Sequence, residues 1–248
     1  MSVDLSGRVV LITGGTKGLG RGLVEAFQAA GADVMTCARH PPDEPIEGFV
    51  AADLRDPSAA AAVVETTVSR YGRLDVVINN AGGSPPSASA EVSPHFVEKI
   101  VALNLLAPFS VAQAANRVMQ GQADGGSIIN IGSLSGHRPS PGTAAYGAAK
   151  AGLANLTTSL AMEWAPKVRV NVVTVGYLET EQTAMHYGSD AAFEAVVATV
   201  PMDRLVRPHD VAQVCLFLAS PEAAFMTGAD IAVHGGGEPP PFLLAVEP

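Results

Sequence analysis

Tyr146 and Lys150 stand four residues apart in an alanine-rich stretch, and Ser133 precedes Tyr146 by thirteen residues. The composition of 144–164 predicts a helix, on which positions i and i+4 share one face, so the Lys150 ammonium can approach the Tyr146 phenol. A nearby cation favours the phenolate and lowers the pKa of about 10 that a free tyrosine has. With a serine hydroxyl beside it, such a pair can move a proton to or from a carbonyl or alcohol oxygen.

The N-terminal region predicts a binding site for a dinucleotide. A short apolar, β-branched run over 8–13 predicts a buried strand, and it leads directly into a loop with Gly14, Gly18 and Gly20 and a helical pattern over 18–30. Glycines let the backbone turn sharply and approach a pyrophosphate at a helix N-terminus, where unpaired N–H groups favour an anion. The spacing differs from Gly-x-Gly-x-x-Gly, so the prediction depends on the strand–turn–helix context.

Strand and helix patterns alternate along the whole chain, which is typical of a parallel sheet with crossover helices. We predict an α/β fold, a single-domain Rossmann-type doubly wound parallel sheet with helices on both faces, over residues 1–248. Strands are predicted at 8–13, 33–38, 48–51, 74–79, 126–132, 168–175 and 230–233, and helices at 18–30, 57–70, 93–119, 143–164 and 209–219. Asp56, Ser93 and Asp210 are the predicted helix caps.

Composition argues against several classes of protein. The 248 residues carry a formal net charge of −9, with 16% charged and 48% hydrophobic residues, and a pI of about 5.0, the wrong sign for nucleic-acid binding. No apolar run of about 18 residues and no export signal is evident, so we expect a cytoplasmic protein without a membrane partner. Cys37 and Cys215 lie in apolar settings, and the six histidines lack ligand spacing, so we expect buried thiols and no metal.

Several short motifs, taken in order, make the chain resemble the short-chain dehydrogenase/reductase family over roughly residues 5–237. Their order and spacing together are more specific than any single motif. The matching elements are the glycine loop at 13–20, Asp53 with Leu54, the Asn-Asn-Ala-Gly segment at 79–82, Asn104, Ser133, Tyr146 with Lys150, and Asn171 followed by Gly176 and Thr180. One departure is Val175-Gly176 in place of the family's Pro-Gly, which predicts a looser turn beside the nicotinamide.

The resemblance implies a role for each matched residue. Tyr146 is the expected acid or base, and Ser133 holds the substrate oxygen; Ser135 is its rival, but the spacing to the tyrosine selects Ser133. Lys150 lowers the pKa of Tyr146 and holds the nicotinamide ribose, and Asn104 anchors a water in the proton relay. The expected cofactor-binding residues are Gly14, Thr16, Lys17, Gly18, Leu19, Arg39, Asp53, Leu54, Asn80, Ala81, Gly82, Tyr146, Lys150, Gly176, Leu178 and Thr180.

The charge around the second strand favours NADP(H) over NAD(H). An acid at the end of that strand would accept the ribose hydroxyls of NAD, but the position falls on the uncharged Ala38. Arg39 follows it, and Lys17 lies in the glycine loop, so two cations can address a 2′-phosphate. By resemblance, Asp53 then accepts from the adenine amino group, and Asn80 lines the ribose region together with Ala81 and Gly82.

The expected activity is NADP(H)-dependent hydride transfer between the nicotinamide and a ketone or secondary alcohol, with the cofactor supplying the redox chemistry. Three alternatives stay open: an NAD-dependent alcohol dehydrogenase, a non-catalytic NADP-binding sensor on the same fold, and an isomerase or epimerase that works through bound cofactor. A sensor would have no need of Ser133, Tyr146 and Lys150 together. The acidic net charge disfavours docking of an acidic carrier protein.

The predicted substrate pocket is mostly apolar, which suits a hydrophobic ketone or alcohol better than a sugar. Positions 181–205 carry no clear strand and resemble the family's substrate lid. The pocket candidates are Leu134, His137, Tyr177, Met185, His186, Tyr187, Phe193 and Met202. Arg138 offers a positive charge to a carboxylate or phosphate group of the substrate.

Two further features predict association between subunits. The helix at 143–164 is richer in Ala and Gly than one buried face requires, and together with the family resemblance it predicts a homotetramer. The tail at 238–248 combines three prolines with an apolar run at 242–246, so we expect it to pack on a neighbouring subunit near the substrate pocket.

Overall fold

A computed structural model of the chain describes residues 3–181 and 189–240. Its seven strands form one parallel sheet in the order β3-β2-β1-β4-β5-β6-β7, which confirms the predicted α/β fold. The strands are β1 Val9–Thr13, β2 Asp33–Ala38, β3 Phe49–Ala51, β4 Val76–Asn79, β5 Gly126–Ile131, β6 Val168–Val175 and β7 Asp230–Val233. The helices are α1 Gly18–Ala29, α2 Pro57–Tyr71, α3 Pro94–Val101, α4 Ala107–Gly121, α5 Ala144–Trp164, α6 Asp190–Val197 and α7 Pro208–Ala219.

The sheet is buried on both faces because its strands are almost continuously apolar. Alternate residues of β1 point to opposite sides, so Val10 and Ile12 pack beneath α1 and α7, whereas Val9 and Leu11 pack beneath α2, α4 and α5. Phe27 of α1 is fully buried in the first of these layers. Helices cover both faces of the sheet, so the strands are continuous apolar runs instead of alternating apolar and polar residues. This is why such runs in the sequence predicted the strand positions.

The order of the strands reverses at β1, whose neighbours are β2 and β4. The connections from β1 and β4 therefore leave the sheet in opposite directions and open a crevice at the carboxyl ends of the strands, where ligands bind in folds of this type. The residues singled out in the sequence lie at or near this edge.

Two of the three predicted helix caps are confirmed and one is wrong. Asp56 accepts a hydrogen bond from the Ser58 backbone N–H at 2.8 Å, and Ser93 accepts from the Phe96 N–H at 3.2 Å. Helix α7, however, begins at Pro208 with Arg207 as its N-cap residue, so Asp210 lies inside the first turn. Its carboxylate accepts from the Arg207 N–H at 2.8 Å, which closes the first turn from within.

The helix predicted at 93–119 is interrupted. A π-helical segment, Ala102–Leu106, separates α3 from α4. Pro108 explains the interruption, because it has no N–H to donate to the carbonyl of residue 104 and its ring would clash with that carbonyl in a regular α-helix. By length and composition alone, the span Pro94–Gly121 is also the one candidate membrane helix among the described residues, with a mean hydropathy of 1.3. Here it packs into the helical layer through residues such as Val111 and Ala115.

One helix was not predicted. Helix α6, Asp190–Val197, lies in the 181–205 segment, and Ser189 caps it by accepting from the Ala192 N–H at 3.2 Å. Of the expected pocket residues, Met185, His186 and Tyr187 lie outside the described residues, as does 241–248 of the predicted tail.

Candidate active site

A cleft of about 550 Å³ lies at the carboxyl edge of the sheet, between the loops that follow β1, β2, β3 and β4. Twelve of the predicted cofactor residues line it: Gly14, Thr16, Lys17, Gly18, Leu19, Arg39, Asp53, Leu54, Asn80, Ala81, Gly82 and Thr180. Tyr146, Lys150, Gly176 and Leu178 are not part of its lining. His40, Pro41, Pro42, Asp43 and Leu103, which the sequence analysis did not single out, also line the cleft.

The glycine loop is shaped to let a ligand approach the backbone. Gly14 has a φ of 71°, which favours glycine, and a Cβ on Gly20 would overlap the Gly14 carbonyl oxygen. The Asn80 side chain fixes this loop by donating to the carbonyl oxygens of Thr13, at 2.9 Å, and Gly14, at 3.2 Å. A cradle without side chains at the start of α1 fits the pyrophosphate of a dinucleotide. Asn80 therefore positions the loop, a contact that the sequence analysis did not foresee.

A carboxylate already lies at the start of α1. Glu181 Oε1 accepts a hydrogen bond from the Gly18 backbone N–H at 2.9 Å, and Thr180 beside it is also close to Gly18. Because helix N-termini favour anions, this contact marks the position where a phosphate group fits. Glu181 was missed in the sequence analysis because it is 163 residues away from Gly18 in the chain.

We predict that Glu181→Gln binds NADPH about two- to fivefold more tightly than the wild type, because an anionic side chain that competes for the helix N-terminus is neutralised. Fluorescence titration of NADPH measures the dissociation constant. Glu25→Gln, which changes an exposed carboxylate paired with Arg21 on the same helix, is the matched control. Unchanged or weaker binding by the Glu181 variant would contradict this interpretation.

The adenosine end of the cleft carries both predicted cations. Lys17, in the loop after β1, and the exposed Arg39, directly after β2, both line it. Asp53, expected to accept from an adenine amino group, is instead in a forked ion pair with Arg55, whose Nε donates to Oδ1 at 2.9 Å. The Arg55 hydrogen bonds lower the pKa of Asp53 despite its partial burial, so the carboxylate is ionised at neutral pH.

The catalytic candidates come together at the start of α5. Lys150 Nζ lies 5.7 Å from the centroid of the Tyr146 ring, and the Ser133 side chain lies close enough to the Tyr146 phenol to lower its pKa. The turn that follows Ser133 packs on the same helix, since a Cβ on Gly136 would lie 2.9 Å from the Lys150 carbonyl carbon. The fully buried end of the Lys150 side chain donates to the Ile131 carbonyl oxygen at 2.8 Å.

Asn104 lies in the π-helical segment and is completely buried. Its Oδ1 accepts from the Gly83 N–H at 2.8 Å, and its Nδ2 donates to the carbonyl oxygens of Gly83 and Ile100. A Cβ built on Gly82 would lie 2.7 Å from Asn104 Oδ1 and 3.4 Å from Lys150 Nζ, so Gly82 separates the two side chains by little more than one atom. The π turn, the cofactor cleft and Lys150 thus meet at this point.

The pKa of Tyr146 differs from the sequence-based expectation. Burial raises it above the ordinary tyrosine value, and the hydrogen bond with Ser133 offsets only part of this effect. The expected lowering by Lys150 was therefore wrong for this structure, because desolvation disfavours the phenolate more than the nearby groups favour it. Burial also lowers the pKa of Lys150, to about 8, so the ammonium is still the main form at pH 7 but loses its proton more easily than an exposed lysine does.

The buried Lys150 predicts a pH-dependent stability difference. The folded state holds the Lys150 proton less tightly, with a pKa of about 8 against 10.5 for an unperturbed lysine. The destabilisation is thus complete below pH 8 and disappears as the pH rises towards 10.5. We expect the free energy of unfolding of the wild type, relative to Lys150→Met, to increase by up to about 3 kcal/mol between pH 7 and pH 10.

Urea denaturation of both proteins at several pH values measures this difference. Lys99→Met, at an exposed lysine of α3, is the control and should follow the wild-type pH profile. A pH-independent difference between the wild type and Lys150→Met would show that burial does not perturb the lysine.

The chain after β6 holds the remaining predicted cofactor residues. Strand β6 extends to Val175, and the Gly176 N–H donates to the Val233 carbonyl oxygen at 3.0 Å, so the turn is tied to β7. This hydrogen bond constrains the backbone at the position where the family has its proline, and the looser turn stays a prediction. Leu178 forms an isolated parallel bridge with Val206.

Several predicted pocket residues have partners that the sequence did not indicate. His137 Nε2 lies 3.1 Å from both Thr174 Oγ1 and a carboxylate oxygen of Asp230, so its ring is tied to β6 and β7. Arg138, expected to be free for a substrate anion, is paired with Glu238. The others lie as follows: Leu134 and Tyr177 are half-buried after β5 and β6, Phe193 is half-buried in α6, and Met202 is 61% exposed and packs near Gly235.

The thiols and the metal-ligand candidates add no further centre. Burial raises the pKa of Cys37 and that of Cys215 to about 12, so both stay protonated, as expected for core thiols. Within residues 3–181 and 189–240, no group of three or more His, Cys, Asp or Glu side chains could hold a metal ion.

Comparison with known proteins agrees with this geometry. A family model described as enoyl-(acyl carrier protein) reductase matches residues 14–238. An uncharacterized oxidoreductase of Mycobacterium tuberculosis is 35% identical over 243 residues, covering 94% of this chain and 92% of the relative. The 3-oxoacyl-(acyl-carrier-protein) reductase FabG of Escherichia coli is 33% identical, covering 94% and 98%. The ligand-free structure of Thermoplasma acidophilum aldohexose dehydrogenase matches with a TM-score of 0.89 at 29% identity, covering 100% of this chain and 98% of that one.

A parallel sheet with a cleft at its carboxyl edge, together with relatives that match along nearly their full length, defines this protein as an oxidoreductase. The chain belongs to the short-chain dehydrogenase/reductase family. Membership of the family implies a nicotinamide cofactor.

Proposed function

We propose that this protein is an NADP(H)-dependent oxidoreductase that interconverts a ketone and a secondary alcohol. The observation that carries the proposal is the convergence of Ser133, Tyr146 and Lys150 beside Gly82, which lines a cleft with the glycine loop of a dinucleotide site. When bound, the nicotinamide supplies or accepts the hydride, and the protein supplies the proton and the orientation.

Tyr146 is the proposed proton donor in reduction and the proton acceptor in oxidation. Its raised pKa keeps the phenol protonated at neutral pH, which suits donation to a carbonyl oxygen. Ser133, close to the Tyr146 phenol, is placed to donate to the same oxygen, where negative charge develops.

Lys150 and Asn104 are the proposed route by which the proton on Tyr146 is replaced. A lysine with a pKa of about 8 can both release and recover a proton near neutral pH. Asn104 and the Lys150 ammonium both lie beside Gly82. Pro108 has no N–H, so the carbonyl of Asn104 lacks its α-helical partner. A water bound there would link Lys150 to solvent.

The preference for NADP(H) is supported by Arg39 and Lys17, which line the adenosine end of the cleft. Ala38, at the end of β2, provides no carboxylate to repel a 2′-phosphate. Two acids also line the cleft: Asp43, which is exposed and would oppose a phosphate, and Asp53, whose charge is paired with Arg55. The two cations and the pairing of Asp53 favour the phosphorylated cofactor.

The substrate class is proposed to be a free, largely hydrophobic ketone or alcohol. Relatives such as the Escherichia coli FabG are described as acting on a carrier-bound group, but the present chain has a net charge of −9. Three arginines of the segments after β5, β6 and α6 are paired: Arg138 with Glu238, Arg204 with Asp210 and Arg207 with Glu179. Paired arginines on an acidic protein disfavour the docking of an acidic carrier.

The test is a panel of ketones of increasing size, assayed with purified protein by loss of NADPH absorbance and repeated with NADH. We expect turnover of bulky hydrophobic ketones, with a higher kcat/KM for NADPH than for NADH. Binding of NADPH without turnover of any carbonyl compound or alcohol would favour the sensor instead. Product formation without net consumption of NADPH would favour an isomerase or epimerase.

The whole chain is proposed to act as one catalytic domain, with 181–205 as the substrate lid, and to assemble as a homotetramer. Helix α5 supports the assembly, because it presents an exposed row of small or apolar side chains, Ala148, Ala151, Asn155, Ser159 and Met162. Met162 is 86% exposed, which is unusual for a large apolar residue. The tail from 238 onwards is proposed to add to such an interface.

Light scattering at micromolar concentration should give a mass near four times the 25.4 kDa of one chain. Ala151→Glu places a charge in the exposed row of α5 and should reduce the mass, whereas Glu65→Gln on α2 should not. A mass of one chain for the wild type would contradict the assembly.

A further inference from the structure

Three segments that leave the carboxyl ends of the adjacent strands β5, β6 and β7 meet one another. Arg138 follows the turn after β5, Tyr177 follows β6, and Glu238 follows β7. Arg138 Nε lies 2.5 Å from Glu238 Oε2, and Arg138 Nη2 donates to Glu238 Oε1 at 2.7 Å. The Tyr177 hydroxyl donates a short hydrogen bond to the same Oε1. A guanidinium and a phenol hydroxyl thus converge on one carboxylate.

This cluster lies at the same edge of the sheet as the proposed catalytic residue Ser133, which also follows β5. Arg138 is five residues beyond Ser133, and the intervening turn Leu134–Gly136 packs on α5 beside Lys150. Tyr177 directly follows Gly176, in the segment that continues to the residues expected to contact the nicotinamide. We infer that a substrate whose oxygen bonds Ser133 and Tyr146 has its far end near this cluster, because the loops after β5 and β6 carry both sets of residues.

Glu238 is held in place by the chain before it. Gly235, Gly236 and Gly237 have φ values of 66°, 99° and 83°, and they turn the chain back over the sheet edge. The first two pack against the segment after α6, where a Cβ on Gly235 would lie 2.9 Å from Val200 Cγ1. The Glu238 side chain is 25% exposed and that of Arg138 33%, so the pair is largely shielded from water.

The chemistry of Arg138 and Tyr177 is that of an oxyanion site, since both donate to the same oxygen and arginine binds carboxylates through a fork. Glu238 already supplies the carboxylate. We propose that Glu238 is a specificity residue: as an internal carboxylate it occupies this oxyanion subsite, and so restricts the pocket to substrates without an acidic group at that end. The proposal rests on the proposed function of the same site.

An acidic substrate would have to displace Glu238 or lie beside it, and the second arrangement puts two carboxylates together. Removing the charge of Glu238 leaves the donors of Arg138 and Tyr177 without an anionic acceptor, so they can bind the carboxylate of a substrate. The structure therefore predicts that loss of the Glu238 charge raises kcat/KM for acidic substrates relative to neutral ones. If Glu238 had only a structural role, its substitution would change kcat/KM for all substrates by the same factor.

The experiment compares 4-oxopentanoate, 5-oxohexanoate and 6-oxoheptanoate with their methyl esters, with NADPH, for the wild type and Glu238→Gln. We expect the wild type to favour the esters and Glu238→Gln to raise the acid-to-ester ratio of kcat/KM by about tenfold or more for at least one chain length. The double variant Arg138→Gln/Glu238→Gln should lose this gain. Glu222→Gln, at an exposed carboxylate in the turn Pro221–Ala223, is the control and should keep the wild-type ratio.

Equal acid-to-ester ratios in the wild type and Glu238→Gln, with esters turned over by both, would overturn the proposal and leave the proposed function intact. If the wild type reduces the acids as well as the esters, the proposal is also overturned, because Glu238 would then not exclude acidic substrates. If Glu238→Gln does not fold, Glu238→Ala carries the same expectation.

If no ester is turned over, the proposed function fails and the subsite is tested by binding instead. Calorimetric titration with hexanoate in the presence of NADPH should then show at least about tenfold tighter binding to Glu238→Gln than to the wild type or the double variant. Equal affinity for all three proteins would refute the subsite independently of turnover.

Discussion

Tyr146→Phe should lower kcat by about a hundredfold or more while leaving the affinity for NADPH nearly unchanged, because proton transfer by a positioned side chain contributes at least that factor. The phenol hydroxyl is the only atom removed, and the ring, which lies 5.7 Å from Lys150 Nζ, remains. Steady-state kinetics on the best ketone of the panel and fluorescence titration of NADPH measure the two quantities.

Tyr71→Phe is the matched control, because Tyr71 ends α2 and contacts Arg70 on the far side of the sheet from α1. It should keep wild-type turnover. If Tyr146→Phe retained more than about a tenth of the activity, another group would have to supply the proton.

Arg39→Ala should weaken NADPH binding by about ten- to a hundredfold and NADH binding by much less, because a charge-assisted contact with a phosphate is worth on the order of 1.5–3 kcal/mol. Arg39 is exposed, lines the cleft and is the cation nearest the end of β2. Titration of both cofactors gives the ratio of dissociation constants directly.

Arg70→Ala removes an exposed arginine whose partner is Glu47 and should leave both affinities unchanged. Lys17→Ala should produce a smaller loss in the same direction as Arg39→Ala. Equal weakening of NADPH and NADH by Arg39→Ala would show that this residue does not distinguish the phosphate.

The strands were predictable because each is a short apolar run between turn residues. Both faces of the sheet are buried, so these runs are continuous and are not broken by polar residues that face water. All seven strands agree with the structure to within two residues at either end. Helices were less well defined at their ends. Helix α6 was missed because its eight residues carry too few turns for a clear period, and the break before α4 was missed because Pro108 was not weighed as a helix breaker.

Side chains that belong to motifs were placed well, and those that act through distant partners were not. Ser133, Tyr146 and Lys150 lie together, as their spacing predicted. Glu181 and Glu238, by contrast, reach partners 163 and 100 residues away, and no local pattern contains that information. The pKa of Tyr146 was mispredicted for a related reason, since the depth of burial depends on every element packed around the cleft.

The π turn at Ala102–Leu106 also determines the directions in which the side chains of α4 point around the helix axis. One extra residue in a turn advances the next side chains by about 100° relative to a regular α-helix. The face of α4 that meets the sheet, which includes Val111 and Ala115, is therefore set by a site several residues earlier. A deletion of one residue there would restore a regular α-helix and turn that apolar face away from the sheet. The same turn therefore determines both the position of Asn104 and the packing of α4 in the core.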